Sequence, residues 1–234
     1  MGENKENFSK ADFRSIDGKS FPLPEFLPSN GKLNLPPDAK ILLHACCAPC
    51  SGAIVEILLK NGIRPSIFYS NSNIAPYGEY KIRKNEVLRL AREEGLDVIE
   101  DSYDHSLWLE EVAKGYENEP ERGHRCLRCF TFRLEKAALY ARDNGFNILS
   151  TTLASSRWKN LRQVDEAGKK ACEPYAELRW WNMNWRKGGL QERRGALIKE
   201  REYYNQTYCG CEFSAERNGQ RAGKPLPLSR GENQ

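Results

Sequence analysis

Four short apolar runs, each followed by apolar residues at helical spacing, restrict this chain to few architectures. KILLHA (40–45), SIFYS (66–70), DVIE (97–100) and NILSTTL (147–153) are aliphatic and too short for helices, so they read as buried strands. After the first, Ser51 is in position to cap a helix carrying Ile54, Val55, Leu58 and Leu59, which Asn61-Gly62 stops. A long helix through Tyr80, Val87, Leu88 and Ala91 follows the second run and ends at Gly95, and SLWLEEVA (106–113) follows the third. Residues 126–144 are the most periodic, with Leu127, Phe130, Leu134, Ala138 and Ala141 along one side and Gly145 behind them. A further helix is expected after Ser155-Ser156. Strands alternating with helices predict an α/β fold: a Rossmann-like parallel sheet with helices on both faces, then a helical and loop C-terminal part. Sites in such sheets collect at the carboxyl ends of the strands, where His44 to Cys50 and Thr151 to Lys159 both fall.

Outside this pattern, residues 1–39 read as a polar arm punctuated by Pro22, Pro24, Pro28, Pro36 and Pro37, partly pinned by Phe21, Leu23, Phe26 and Leu27. Residues 40–214 form the main domain, and 215–234 read as a mobile tail rich in Gly, Arg and Pro. The opening stretch has no apolar segment of signal-peptide kind, and no run reaches membrane-span length. A cytoplasmic protein with reduced thiols and no membrane partner is therefore expected.

That expectation bears on eight cysteines, at 46, 47, 50, 126, 129, 172, 209 and 211. HACCAPC (44–50) holds three of them in five positions, and adjacent cysteines are poor disulfide partners. Cys126 and Cys129 are three apart at a helix start, so both thiols face one way. Cys47/Cys50 with Cys126/Cys129 would suit a four-thiolate zinc site, although Cys46 would then be idle. An iron–sulfur cluster takes thiolates from scattered loops and accepts adjacent ligands more readily. Local chemistry leaves zinc and iron–sulfur level, with pure thiol redox behind. Cys209-Gly210-Cys211 is a separate element, either a strained, labile disulfide or two unrelated thiols. Cys172 reads as a small core residue. His44 reads first as a core histidine bonded to a carbonyl, and second as a proton donor or outer ligand. Glu79, Tyr80 and Arg83 share one helix turn, a pattern that reads as a solvated face.

Residues 157–201 carry 12 Lys/Arg against 6 Asp/Glu, while the whole chain has a net charge of only +4. Trp158, Trp180, Trp181 and Trp185 lie in the same stretch. Cations that track phosphates, interleaved with rings that stack on bases, suit RNA. In Trp185-Arg186-Lys187-Gly188-Gly189 the paired glycines would let backbone approach a phosphate. The plain alternative is buried tryptophans and solvated cations.

With these pieces placed, the sequence resembles the QueH-type epoxyqueuosine reductases from about Lys40 to Ser214. The resemblance rests on HACCAPC (44–50), SNIAPYGEYKIR (72–83), RCLRCFTFRLEKAA (125–138), STTLASSRWKN (150–160), WRKGG (185–189) and NQTYCGCEFS (205–214). Two departures concern loop shape: Ser72 stands where the family usually has proline, and Ser156-Arg157-Trp158 replaces a Pro-aromatic step. The resemblance implies the last step of queuosine formation in tRNA, in which wobble-position epoxyqueuosine loses its epoxide oxygen as water. It implies a 4Fe–4S cluster on Cys46, Cys47, Cys126 and Cys129, with an additional iron on Cys50 and no corrinoid. His44, Cys50, Cys209 and Cys211 become candidate catalytic residues, the last two as a redox or structural pair. Trp158, Lys159, Asn160, Arg186 and Lys187 become candidate contacts to tRNA, and the electron donor is unidentified. Two other readings compete. An ATP-pyrophosphatase-type tRNA thiolase needs a Gly/Ser-rich phosphate loop where this chain has HACCAPCSGA, and a zinc-stabilised RNA-binding module needs no chemistry.

Overall fold

The computed structural model describes residue 28 and residues 31–217. Most of the expected arm and the end of the expected tail lie outside the described residues.

Five strands form one parallel sheet in the order β3-β2-β1-β4-β5: β1 (Ile41–His44), β2 (Ser66–Tyr69), β3 (Val98–Glu100), β4 (Ile148–Thr151) and β5 (Arg179–Trp180). β1 and β4 are buried at every position, as central parallel strands are. Helices surround the sheet: α1 (Ala48–Lys60), α2 (Tyr77–Glu94), α3 (His105–Trp108), α4 (His124–Asp143), α5 (Leu161–Cys172), α6 (Leu190–Glu200) and α7 (Glu212–Arg217). α1 packs against α2 and α6, and α4 against α5. No helix among the described residues is long and apolar enough to cross a membrane.

The four predicted strands sit within their predicted runs. Helix α1 starts earlier than the Ser51 cap suggests, with Cys47 as N-cap and Pro49 in the first turn, where its missing N–H costs nothing. Ser51 lies inside the helix and its hydroxyl donates to the Cys47 carbonyl at 2.8 Å. α3 runs on into a π-helical turn, Leu109–Ala113. β5 has only two residues and no apolar run, so the sequence pattern does not announce it. Its Trp180 packs on α5 because Gly168 leaves room: a Cβ there would lie 2.1 Å from the indole.

β1 runs to β2 and β3 on one side, and the chain then returns to place β4 on the other. The switch point therefore falls between β1 and β4, where such sheets open a crevice. At the described end of the arm, the Leu33 amide donates to Asn61 Oδ1 at 2.7 Å and ties the segment to the end of α1.

Candidate metal centre

The β1–α1 turn lies at that switch point. The Sγ atoms of Cys46, Cys47 and Cys50 all lie within 4.8 Å of one another, at 8%, 1% and 4% exposure. Leaving β1 and entering α1 within three residues brings adjacent thiols together, and one helical turn returns Cys50 to the same side. Across the β1/β4 crevice, Thr152 Oγ1 accepts from the Cys46 amide at 3.1 Å and donates to its sulfur at 3.4 Å. Gln206 Nε2 donates to Cys47 Sγ at 2.9 Å. Hydrogen bonds from Cys47 and Cys50 hold the Cys46 thiol well below the usual cysteine range. Burial pushes Cys47 well up, and the neighbouring Cys46 pushes Cys50 up to about 11. Of the three, Cys46 is thus the thiol whose ionised form its neighbours favour. Burial opposes the charge of Lys159, but Cys209 and the triad outweigh it and keep the ammonium protonated.

Cys126 and Cys129 lie in the first turns of α4. The turn before it sets Arg122 at φ +66, and its amide donates to Cys126 Sγ at 3.2 Å. Burial raises Cys126 to about 11 and also raises Cys129, against the Arg133 guanidinium. The charge of Cys209 adds to both, so Cys209 belongs to the same neighbourhood. Buried thiols as the dominant donors, with no histidine or carboxylate among them, fit an iron–sulfur group or another thiophilic metal. A further fit is the Trp108 indole N–H, buried without a hydrogen-bond partner among the described residues, in the same cluster as Cys129.

Cys46, Cys50 and Cys126 line one cavity of about 650 Å³, with Arg83, Arg133, Lys159, Trp158, Gln206 and Cys209 among its other walls. Six Lys and Arg side chains against two Glu line it. Arg133, 2% exposed, donates from Nε to the Ser70 carbonyl at 3.0 Å and from Nη2 to Asn71 Oδ1, which fixes the loop after β2.

The chain returns over this cavity at residues 203–214, fastened to α2. Arg83 pairs with Glu79 at 2.6 Å, both nearly fully buried. Its remaining donors reach the Cys209 carbonyl at 2.9 Å and the Tyr208 carbonyl at 3.2 Å, while Tyr204 Oη donates to Glu79 Oε2 at 2.9 Å. Gly210 adopts φ +138 against Arg83, Asn73 and Ile74, all within 3.2 Å of where a Cβ would stand. The charged turn that reads as a solvated face is thus the buried anchor of the CxC segment. An i,i+4 Glu–Arg pair looks the same in sequence whether water or a strap covers it. Cys209 and Cys211 are free thiols, as are the other six cysteines.

The family model described as Epoxyqueuosine reductase QueH matches residues 41–217. This chain belongs to that family. Relatives named Epoxyqueuosine reductase QueH include one from Acinetobacter baylyi, 50% identical over 78% of this chain and 84% of its own length. Those of Haemophilus influenzae and Thermotoga maritima are 46% and 36% identical, over 78% and 74% of this chain and 75% and 89% of their own lengths.

For this member of the QueH family, the remaining predicted residues divide. His44 is fully buried and absent from the cavity wall; its Nε2 donates to the Ser70 carbonyl at 3.2 Å and its Nδ1 meets Thr151 Oγ1 at 2.7 Å. Burial, then Arg133, lowers it to about 3, so it is a neutral core imidazole. Trp158 is 68% exposed at the cavity rim, with the Arg157 guanidinium 4.9 Å from its ring. Trp181 and Trp185 are instead buried edge to face at 5.4 Å, and Trp180 donates to Asp165 at 2.8 Å, so these three rings are structural. Asn160 caps α5, accepting from the Arg162 amide at 3.0 Å. Arg186 donates to the Ser156 and Lys159 carbonyls at 2.5 and 2.8 Å, holding the loop from below, while Lys187 is exposed. Thr152, Gln206, Arg83 and Arg133 all fall within the motifs quoted above, yet their roles are not legible there, since each acts through partners more than 45 residues away.

Proposed function

We propose that this protein reduces epoxyqueuosine in tRNA to queuosine. The substrate gains two electrons and two protons, both C–O bonds of the epoxide break, a carbon–carbon double bond forms, and the oxygen leaves as water. The observation that carries this reading is the family match over 41–217, which spans the buried Cys46, Cys47 and Cys50 group and a cavity lined by Cys46, Cys50 and Cys126. Cys46, Cys47, Cys126 and Cys129 would hold a 4Fe–4S cluster, and Cys50 a further iron. When bound, these groups supply single electrons and a Lewis acid for the epoxide oxygen.

The chain's own residues prepare the rest. Thr152 and Gln206 fix the sulfurs of Cys46 and Cys47, and the Arg133–Asn71 pair shapes the floor. Lys159 keeps its proton beside the triad and offers positive charge where oxygen would gain negative charge. Trp158 at the rim would stack on a base and the exposed Lys187 would meet phosphate, with Arg186 and Asn160 holding the 156–160 loop. Cys209 lines the cavity and Cys211 packs beside Trp108; as a pair they would serve either a structural role or a redox one, in which closing a disulfide releases two electrons and two protons. Work in the cytoplasm, with no cobalamin and with an outside electron donor, completes the proposal.

The test is incubation of anaerobically purified protein with epoxyqueuosine-bearing tRNA and a low-potential reductant, then mass analysis of the nucleosides. The expected product is lighter by one oxygen atom. An unchanged nucleoside, with the thiol-bound metal intact, overturns the reading.

A further inference from the structure

On the reading above, reduction draws on an outside donor, and the cavity lined by Cys46, Cys50 and Cys126 is the one left to the substrate. Cys129 differs. It is absent from the cavity wall and sits in a separate apolar cluster with Trp108, Val112 and Ala113, against which Cys211 and Phe213 pack.

From this thiol a continuous file of rings leads outward. Trp108 and His105 have centroids 5.6 Å apart and planes within 11°. His105 and Tyr103 follow at 6.3 Å and 9°. Tyr103 meets Tyr80 at 4.2 Å and Tyr77 at 5.1 Å. Trp108 is 1% exposed at the inner end and Tyr77 is 53% exposed at the outer end. Electron tunnelling weakens steeply across empty gaps and least where bonded and π-contacting atoms fill them, so this file is a better bridge than the surrounding aliphatic core.

The outer end also has a charge. Lys81 is exposed, stands 5.3 Å from the Tyr77 ring, and has no carboxylate partner among the described residues. Of the acids around the file, Glu79 pairs with Arg83, Glu100 with Lys84, Asp101 with Lys136 and Glu212 with His105, while the exposed Asp104 is engaged by the Leu107 amide at the start of α3.

We infer that the rings Tyr77, Tyr103, His105 and Trp108 form the electron-entry route to the metal centre, and that the surface around Tyr77 docks a small acidic protein carrying one low-potential electron. The inference rests on the iron–sulfur reading above. In each encounter the carrier loses one electron and the centre gains it; no bond changes in the file, whose rings serve only as a bridge. Two encounters supply the two electrons of the reduction.

Reduced flavodoxin is a suitable probe, with the methyl viologen radical as a small control that enters through the open cavity when tRNA is absent. Bleaching of the iron–sulfur absorption is followed by stopped flow, and flavodoxin binding by calorimetry. Tyr103→Leu is expected to slow reduction by flavodoxin by about an order of magnitude, with iron, sulfide and the viologen rate unchanged. The surface change Tyr77→Ala should slow it in the same way. Lys81→Glu should weaken flavodoxin binding several-fold at low salt and little at high salt. An intact chromophore with unaltered flavodoxin rates in both tyrosine variants, or equal slowing with viologen, overturns the entry route alone. Absence of any iron–sulfur chromophore in the native protein overturns the cluster reading and the route together.

Discussion

The surroundings of Cys46, Cys47 and Cys50 pull their proton affinities apart although the three thiols lie close together. Cys46 is held low by its two neighbours, whereas Cys50 is pushed up to about 11, and the proposed centre gives Cys50 a separate iron outside the cluster. Cys50→Ala is therefore expected to keep the iron–sulfur absorption while turnover falls to background, as checked by visible spectra beside product analysis. The Glu79–Arg83 pair gives a second test at this scale. Arg83→Met strands a buried carboxylate and should destabilise the fold by roughly 3–5 kcal/mol, whereas Glu79→Leu with Arg83→Met should recover much of the loss in thermal unfolding. The cysteines are legible in sequence because their spacing alone is informative. Glu79 and Arg83 are not, because their meaning comes from residues 204–209, which reach them only after folding.

At the scale of elements, the strands are legible because burial on both faces leaves short aliphatic runs, whereas β5 borrows its place from Gly168 and leaves no run of its own. The 156–160 loop separates contact from support. Trp158→Ala should weaken tRNA binding by about 1–3 kcal/mol. Lys187→Ala should flatten the salt dependence by about one unit of slope. Arg186→Ala should weaken binding by loosening the loop, with little change in slope, because its guanidinium is occupied by two carbonyls. Binding titrations at several salt concentrations distinguish the three. Helix α7 begins at Glu212, whose carboxylate meets His105 Nε2 at 3.1 Å. That hydrogen bond raises His105 above the usual imidazole range; burial opposes ionisation of Glu212, but His105 holds its carboxyl below the usual range. The His105 contribution is full below the unfolded imidazole value and is lost as pH rises through the raised one. The Glu212 contribution is lost as pH falls through its lowered one. Amide exchange at residues 209–214 should therefore quicken from mildly acidic to alkaline pH beyond its intrinsic rise, and His105→Gln should abolish the excess.

For the molecule as a whole, alternation of strand and helix foretells a parallel sheet but not its order. The order decides the site: with β4 beside β1, Thr152 meets Cys46, and the segments at 46–50, 126–129 and 203–211 gather at one end of the sheet. A fold of local contacts alone would have kept these segments apart. In the proposed centre four thiols, Cys46, Cys47, Cys126 and Cys129, would share a cluster and a fifth, Cys50, would hold a separate iron. Iron and acid-labile sulfide measured together in anaerobically purified protein test this most directly. The prediction is iron in excess of sulfide by one atom per chain, with the excess alone lost in Cys50→Ala. Zinc in place of iron, or equal iron and sulfide unchanged by that substitution, would contradict it.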